Sequence, residues 1–198
     1  MGLKVSLNHL KIIVFLSACL PLLRLAILAS SDGLGANPVE FITHSTGTWT
    51  LVGLMLTMTV TPLRQLTGYT GLIRVRRMLG LFTFFYASLH FVTYIWLDQF
   101  FDLHAIVKDI YKRPFITVGF IAYLLLIPLA LTSSNAMIRR LGAQRWQRLH
   151  RLVYLIAILG VVHYWWLVKK DIRQPLIYAA VLAFLLGWRV VRRQRVKG

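Results

Sequence analysis

Six long apolar stretches constrain the fold of this chain more than any other feature of its sequence. Hydrophobic residues make up 58% of the 198 positions and charged residues 15%, whereas a soluble domain is about 45–50% apolar and about 25% charged. A bilayer accommodates such a chain, and a helix needs about 17–25 apolar residues to cross it. We therefore predict an all-α membrane protein, a six-transmembrane-helix bundle forming a single domain over residues 1–198, with spans at about 11–30, 46–63, 79–97, 115–132, 150–168 and 175–191.

The first stretch also has features of a secretory signal peptide. Lys4 and Lys11 precede the apolar run, and the Leu-Ala-Ser-Ser sequence at 28–31 resembles a cleavage site. The run is longer than the usual apolar region of a signal peptide, which has about 7–15 residues, and Arg24 interrupts it. We expect this segment to be a retained transmembrane helix.

The distribution of lysine and arginine predicts the orientation of the bundle. The ends and connections on one side carry 16 of these residues and those on the other side carry six, with Arg24 inside the first span. Because cytoplasmic segments are enriched in Lys and Arg, the N-terminus and C-terminus are both predicted to be cytoplasmic. The net charge of +17 lies in short runs beside apolar stretches, where it borders membrane lipid headgroups. This arrangement disfavours a nucleic-acid partner.

Two histidines inside the predicted spans are the residues most indicative of function. Ionisable side chains in a membrane span are costly and usually functional. Counting outward from the inner ends of spans three and five places His90 about 16 Å and His163 about 20 Å into the membrane. Two imidazoles from different helices thus reach a similar depth, in the outer half of a hydrocarbon core about 30 Å thick.

The residue types leave three roles open for His90 and His163. Imidazole is a standard axial ligand of haem iron, and a helix bundle can hold the macrocycle. The other two roles are interhelical hydrogen bonding and transport. Zinc would need three or four ligands, and a proton relay would normally need carboxylates beside the histidines. All six acidic residues lie in predicted outer loops or at span ends, so haem ligation is the favoured role.

A second group of residues lies at the predicted inner surface. His150 opens span five, 13 residues before His163, and an ideal helix turns the two about 140° apart unless a bulge near Gly160 corrects the phase. His150 is therefore either a ligand of a second, inner cofactor or an interfacial residue. The arginines near it in sequence or on the same side are a potential phosphate or propionate site, or positive-inside anchors: Arg74, Arg76, Arg77, Arg148 and Arg151.

Arg24 is the cation inside the first span, at about the predicted depth of His163. Its charge would offset a haem propionate, or its side chain would snorkel to the outer headgroups. The residues favour snorkelling.

At this point the motifs resemble the haem-binding membrane subunits of periplasmic protein-methionine-sulfoxide reductase systems, which belong to the ferric-reductase-like transmembrane group. The resemblance extends over about residues 33–178. It is carried by GLGANPVEFITHSTG (33–47), TPLR (61–64), IRVRRMLGL (73–81), ASLH (87–90), TSSNAMIRRLGAQRWQRLHRLVYLIAILGVVHY (132–164) and QPLIY (174–178).

The resemblance implies a haem b electron conduit in the bacterial inner membrane. Its partner would be a periplasmic molybdopterin-containing catalytic subunit that reduces methionine sulfoxide in oxidised proteins. The implied electron donor is the quinone pool or a cytoplasmic flavin reductase, and the family is also described as binding FMN. The haem-linked histidines of the family correspond to His90, His150 and His163.

One position departs from the two-haem members of the wider group. Those relatives carry two histidines on the third helix, whereas Arg76 or Arg77 stands at the inner position here. The inner site would then hold flavin, or a haem with another ligand. We predict one outer haem b on His90 and His163 in an electron-transfer subunit. The alternatives are a small proton-coupled transporter and a direct ferric reductase.

Overall fold

The computed structural model describes residues 6–168 and 170–195. Lys4, Lys169 and Lys197, which contribute to the predicted orientation, lie outside these residues. All regular structure in the described ranges is helical, with a π-helical turn at Tyr94–Asp98. The α-helices are α1 Leu7–Ser30, α2 Pro38–Thr67, α3 Leu72–Thr93, α4 Leu103–Lys112, α5 Pro114–Leu131, α6 Asn135–Leu141, α7 Ala143–His150, α8 Leu152–Leu167 and α9 Arg173–Arg195.

Five helical segments of the described residues are long and apolar enough to cross a membrane. They are Leu7–Ser30, Leu72–Asp98, Pro114–Leu131, Ala143–Leu167 and Arg173–Gln194. These segments contain or overlap predicted spans one, three, four, five and six. The chain is therefore a multi-pass membrane protein, helical in its regular structure and with five candidate spans over residues 6–168 and 170–195.

The second predicted span, at 46–63, lies within α2 and is more polar than the others because it is rich in threonine. At 30 residues, α2 is about 45 Å long, which is ample for a bilayer. Several of its threonine hydroxyls donate to the carbonyl four residues earlier, as Thr46 does to Ile42 and Thr59 does to Met55, both at 2.8 Å. Because these hydroxyls bond within their own helix, they remain compatible with lipid. Its crossing of the membrane stays a prediction.

The ends of α2 follow from local sequence signals. The Asn37 side chain accepts from the backbone N–H of Glu40 at 3.2 Å, and Pro38 occupies the first turn, where its missing N–H has no partner to lose. At the other end, Gly68 adopts a left-handed φ of 70°, which glycine accommodates without strain.

Helix α3 begins at Leu72, seven residues before the predicted start of span three at 79. Arg74, Arg76 and Arg77 therefore lie on the first turns of α3 rather than in a connection. Because arginine favours helix formation, the helix begins before its apolar part does.

The described residues group into two compact units, one ending at Asp98 and the other beginning at Gln99. In the first unit α3 packs most extensively against α2, and the Tyr86 hydroxyl donates to the Ala18 carbonyl of α1 at 2.6 Å. In the second unit α5 packs most extensively against α8, whose Ile156 and Ala157 are buried. The prediction of a single domain is not tested by this division.

Candidate functional site

In the first unit, the His90 ring lies against the backbone of α2. His90 is in the last turn of α3, and its Nδ1 is 2.9 Å from the Thr43 carbonyl oxygen. Gly47 is one helical turn further along α2. A Cβ at Gly47 would lie 3.0 Å from Cε1 and 3.1 Å from Nδ1 of His90. The ring therefore occupies space that a larger residue at position 47 would partly fill.

The second unit places His163 in the same way. Its Nδ1 is 2.7 Å from the Phe115 carbonyl oxygen in the first turn of α5. Gly119 follows four residues later, and a Cβ there would lie 2.7 Å from Nδ1 and 2.8 Å from Cε1 of His163. The two histidines thus share one arrangement: a carbonyl acceptor on the neighbouring helix and a glycine one turn beyond it.

This arrangement determines which ring nitrogen can bind a metal. A carbonyl oxygen only accepts hydrogen bonds, so Nδ1 carries the hydrogen in both His90 and His163. In the neutral ring the lone pair is then on Nε2, and backbone carbonyl bonding of this kind orients metal-ligating histidines. Imidazole is a standard ligand of haem iron, so each histidine, within its own unit, presents a nitrogen that suits this role. Sequence reasoning found both histidines but missed Gly47, Gly119 and the two carbonyls, since glycine in an apolar stretch is too common a signal.

His150 has different surroundings. Its Nε2 is 3.0 Å from the Thr132 hydroxyl oxygen, and its ring stacks on Trp146 with centroids 3.9 Å apart. The Trp146 indole N–H donates to the Thr132 carbonyl at 2.9 Å. These contacts attach α7 to the end of α5. The ligand role of His150 stays a prediction.

The bulge near Gly160 that would bring His150 and His163 to the same face of one helix is not found. Helix α8 is regular through Gly160, so a bulge does not occur there. The interruption lies at Arg151 instead, in the turn between α7 and α8. The angular relation of His150 and His163 is therefore governed by this turn.

The predicted phosphate-binding arginines belong to two separate units. Arg74 and Arg77 are exposed on the first turns of α3, and Arg76 is half-buried there. Arg148 and Arg151 are exposed at the end of α7 and the following turn. Each group is an accessible cationic surface in its own unit.

Arg24 is exposed on α1. Its guanidinium carbon lies 5.7 Å from the ring centroid of Phe41, in the first turn of α2, a geometry within the range of cation–π contacts. Phe41 precedes Gly47 by six residues, or about 9 Å along the helix. This contact places Arg24 nearer the start of α2 than the His90 ring is.

Comparison with known proteins identifies the class. Residues 46–161 match the family described as the ferric reductase like transmembrane component. This segment contains His90, His150, Gly47 and Gly119, and His163 lies two residues beyond it. The chain belongs to the ferric reductase-like transmembrane family.

Three bacterial relatives are each named protein-methionine-sulfoxide reductase heme-binding subunit MsrQ. The protein of Herminiimonas arsenicoxydans is 57% identical over 93% of this chain and 86% of the relative. That of Ralstonia nicotianae is 59% identical over the same shares. That of Azospira oryzae is 59% identical over 98% of this chain and 83% of the relative. Within its family the chain therefore belongs to the MsrQ group, and the resemblance predicted from the sequence motifs is confirmed.

Proposed function

We propose that this chain is the haem-binding membrane subunit of a protein-methionine-sulfoxide reductase system in the bacterial inner membrane. In this role it transfers electrons to a periplasmic molybdopterin-containing catalytic subunit, for the repair of oxidised proteins. The proposed donor is the quinone pool or a cytoplasmic flavin reductase. The observation that carries the proposal is the shared setting of His90 and His163, and the names of the relatives support haem binding.

His90 and His163 are the residues that would hold one haem b, each through its Nε2 atom. Two arguments support the pair: their similar predicted depth in spans three and five, and the matching carbonyl bonds at Nδ1. A haem b bound there supplies a reversible one-electron iron couple. The two carbonyls would keep each ring in the tautomer that presents Nε2.

The test is a reduced-minus-oxidised absorption spectrum of the purified protein, with haem counted per chain. A low-spin b-type spectrum is expected. A colourless protein would contradict haem binding and favour a small proton-coupled transporter. Reduction of ferric iron without any partner subunit would favour a direct ferric reductase.

The proposed topology has six spans in a single domain, with α2 as the second span and both termini in the cytoplasm. The supports are the internally bonded threonines of α2 and the asymmetry of Lys and Arg. A C-terminal fluorescent reporter that folds only in the cytoplasm should be bright. A dark but stably expressed fusion would contradict this orientation.

For the inner surface we propose a flavin site in preference to a second bis-histidine haem. Arginine provides no lone pair for iron at neutral pH, but its planar fork binds phosphate in a bidentate manner, and FMN carries a phosphate. Arg77 is exposed on α3 and available for such a contact. Positive-inside anchoring is the competing explanation for these arginines.

Counting cofactors after acid extraction tests the flavin site. One haem and substoichiometric FMN per chain are expected, with FMN lost in Arg77→Ala, and the cofactors of His150→Ala are counted in the same way. Arg140→Ala is the matched control, because Arg140 is also an exposed arginine on the predicted inner side. Two haems and no flavin would refute the site.

A further inference from the structure

Gly47 and Gly119 occupy equivalent places beside the two candidate ligands. Each lies four residues after the carbonyl that accepts from the histidine Nδ1, and each faces the Nδ1–Cε1 edge of that ring. The pairs α2–α3 and α5–α8, which differ in sequence, therefore each place a backbone carbonyl and a glycine beside an imidazole ring.

The steric consequence of a side chain is larger at position 119. A Cβ there would lie 2.7 Å from Nδ1 of His163, well inside the distance that carbon and nitrogen atoms tolerate without a bond. At position 47 the nearest ring atom would be 3.0 Å away, which demands a smaller adjustment. Alanine at 119 must therefore rotate the ring or separate α5 from α8.

Ring rotation and the carbonyl bond are coupled. The Nδ1–H bond holds one edge of each ring at a fixed carbonyl, and the direction of Nε2 follows from the rotation of the ring about its Cβ–Cγ bond. A ring displaced from the glycine also turns its N–H away from the acceptor, and hydrogen bonds weaken steeply with angle. The glycine and the carbonyl therefore define the direction of Nε2 together.

Three other helical glycines, Gly53, Gly80 and Gly187, do not face a histidine ring. A Cβ at Gly80 or Gly187 would meet nothing within 4 Å. A Cβ at Gly53 would lie 2.5 Å from the Thr83 hydroxyl oxygen, a severe contact that involves Thr83 rather than a histidine ring. Alanine at position 80 or 187 therefore tests the effect of helix propensity alone, and alanine at position 53 tests steric strain without a ring contact.

We propose that Gly47 and Gly119 are positioning residues that set the rotation of the imidazoles of His90 and His163 and so the orientation of the axial ligands. The inference rests on the proposed function, because it assigns these histidines to haem iron. Gly119 has the larger role, since its contact is closer.

The experiment compares five alanine variants of the full-length haem-loaded protein: Gly47→Ala, Gly119→Ala, Gly53→Ala, Gly80→Ala and Gly187→Ala. The readouts are the EPR g-values of the low-spin ferric state, which depend on the orientation of the ligand planes, and the midpoint potential. Thermal unfolding is measured in parallel.

Gly119→Ala should lose most of the low-spin signal or shift its g-values strongly, and Gly47→Ala should give a smaller shift. Gly80→Ala and Gly187→Ala should keep the parental g-values and potential, and should unfold at the parental temperature or slightly above it, because alanine favours the helix. Gly53→Ala should unfold at a lower temperature with unchanged g-values and potential, because it strains a helix contact without touching a ligand ring.

Parental g-values and potential in Gly119→Ala would overturn the inference, as would an equal shift in Gly53→Ala. If Gly119→Ala does not fold, the comparison of Gly47→Ala with Gly53→Ala decides, and unchanged g-values in Gly47→Ala then overturn it. Failure of the proposed function is distinguishable, because the parent protein would then show no bis-histidine low-spin signal at all.

Discussion

The helix pairs α2–α3 and α5–α8 hold their histidines in the same way but at different distances. In α2–α3 the Nδ1-to-carbonyl distance is 2.9 Å and the nearest glycine Cβ position is 3.0 Å from the ring. In α5–α8 both distances are 2.7 Å. In both pairs the acceptor carbonyl and the glycine that faces the ring are four residues apart on the neighbouring helix. The shorter distances identify α5–α8 as the less tolerant pair.

The two pairs are stabilised differently away from the ring. Helix α2 approaches α3 a second time at Gly53, where the Thr83 side chain fills the space above the glycine. The end of α5 is instead attached to α7 by the polar contacts of Thr132 with His150 and Trp146. Close backbone approach at small residues and interhelical polar contacts are the two common ways of joining helices in membranes.

Removing either ring is the change with the largest expected effect. His90→Ala and His163→Ala should each abolish the low-spin b-type spectrum. This spectrum requires two histidine ligands on the iron, and each variant leaves only one. Absorption and EPR spectra of the purified variants measure this. His104→Ala is the control, since His104 is exposed on α4. Low-spin haem retained in both single variants would refute the ligand assignment.

The second close approach in α2–α3 should contribute mainly to stability. Gly53→Ala should destabilise the protein by about 1–3 kcal/mol, the usual cost of overpacking, measured by thermal unfolding in detergent. Adding Thr83→Ala should restore part of the loss, because it removes the oxygen 2.5 Å from the new Cβ. A Gly53→Ala variant as stable as the parent would show that this contact relaxes freely.

The polar attachment at the end of α5 should have a smaller effect. Trp146→Phe keeps an aromatic ring but removes the donor to the Thr132 carbonyl, at a cost of about 1 kcal/mol.

His150→Ala removes the stack and the hydroxyl contact, and should spare the outer haem spectrum while slowing reduction from the cytoplasmic side. Gln147→Ala is the control, since Gln147 is exposed in the same helix. Loss of the outer haem in His150→Ala would make this residue a ligand of that haem.

Arg24 offers the smallest and most discriminating change in the first unit. If its charge offsets a haem propionate, Arg24→Gln should lower the midpoint potential slightly, because a nearby cation favours the less positive, reduced iron. Arg24→Lys, which keeps the charge, should preserve the potential. An unchanged potential in Arg24→Gln would favour snorkelling to the headgroups instead, with only the exposed contact to Phe41 lost, worth about 0.5–1 kcal/mol.

The helical membrane class, five of the six predicted spans and the family could all be predicted from the sequence. Long apolar stretches have few alternatives to helices in a bilayer, because every backbone polar group must bond within its own segment. The same reasoning identified His90 and His163, since a buried ionisable residue is conspicuous in an apolar run. The predicted spans left Arg74, Arg76 and Arg77 in the connection between spans two and three, because hydropathy indicates where a helix is apolar and not where it begins.

The surroundings of the two histidines could not be predicted without the packing of the helices. The Thr43 carbonyl is 47 residues from His90 in sequence, and the Phe115 carbonyl is 48 residues from His163. Backbone carbonyls carry no residue identity, so no sequence pattern marks them as acceptors. The importance of Gly47 and Gly119 likewise depends on which face of one helix meets the ring of another, and helix packing, rather than the local sequence, determines that contact.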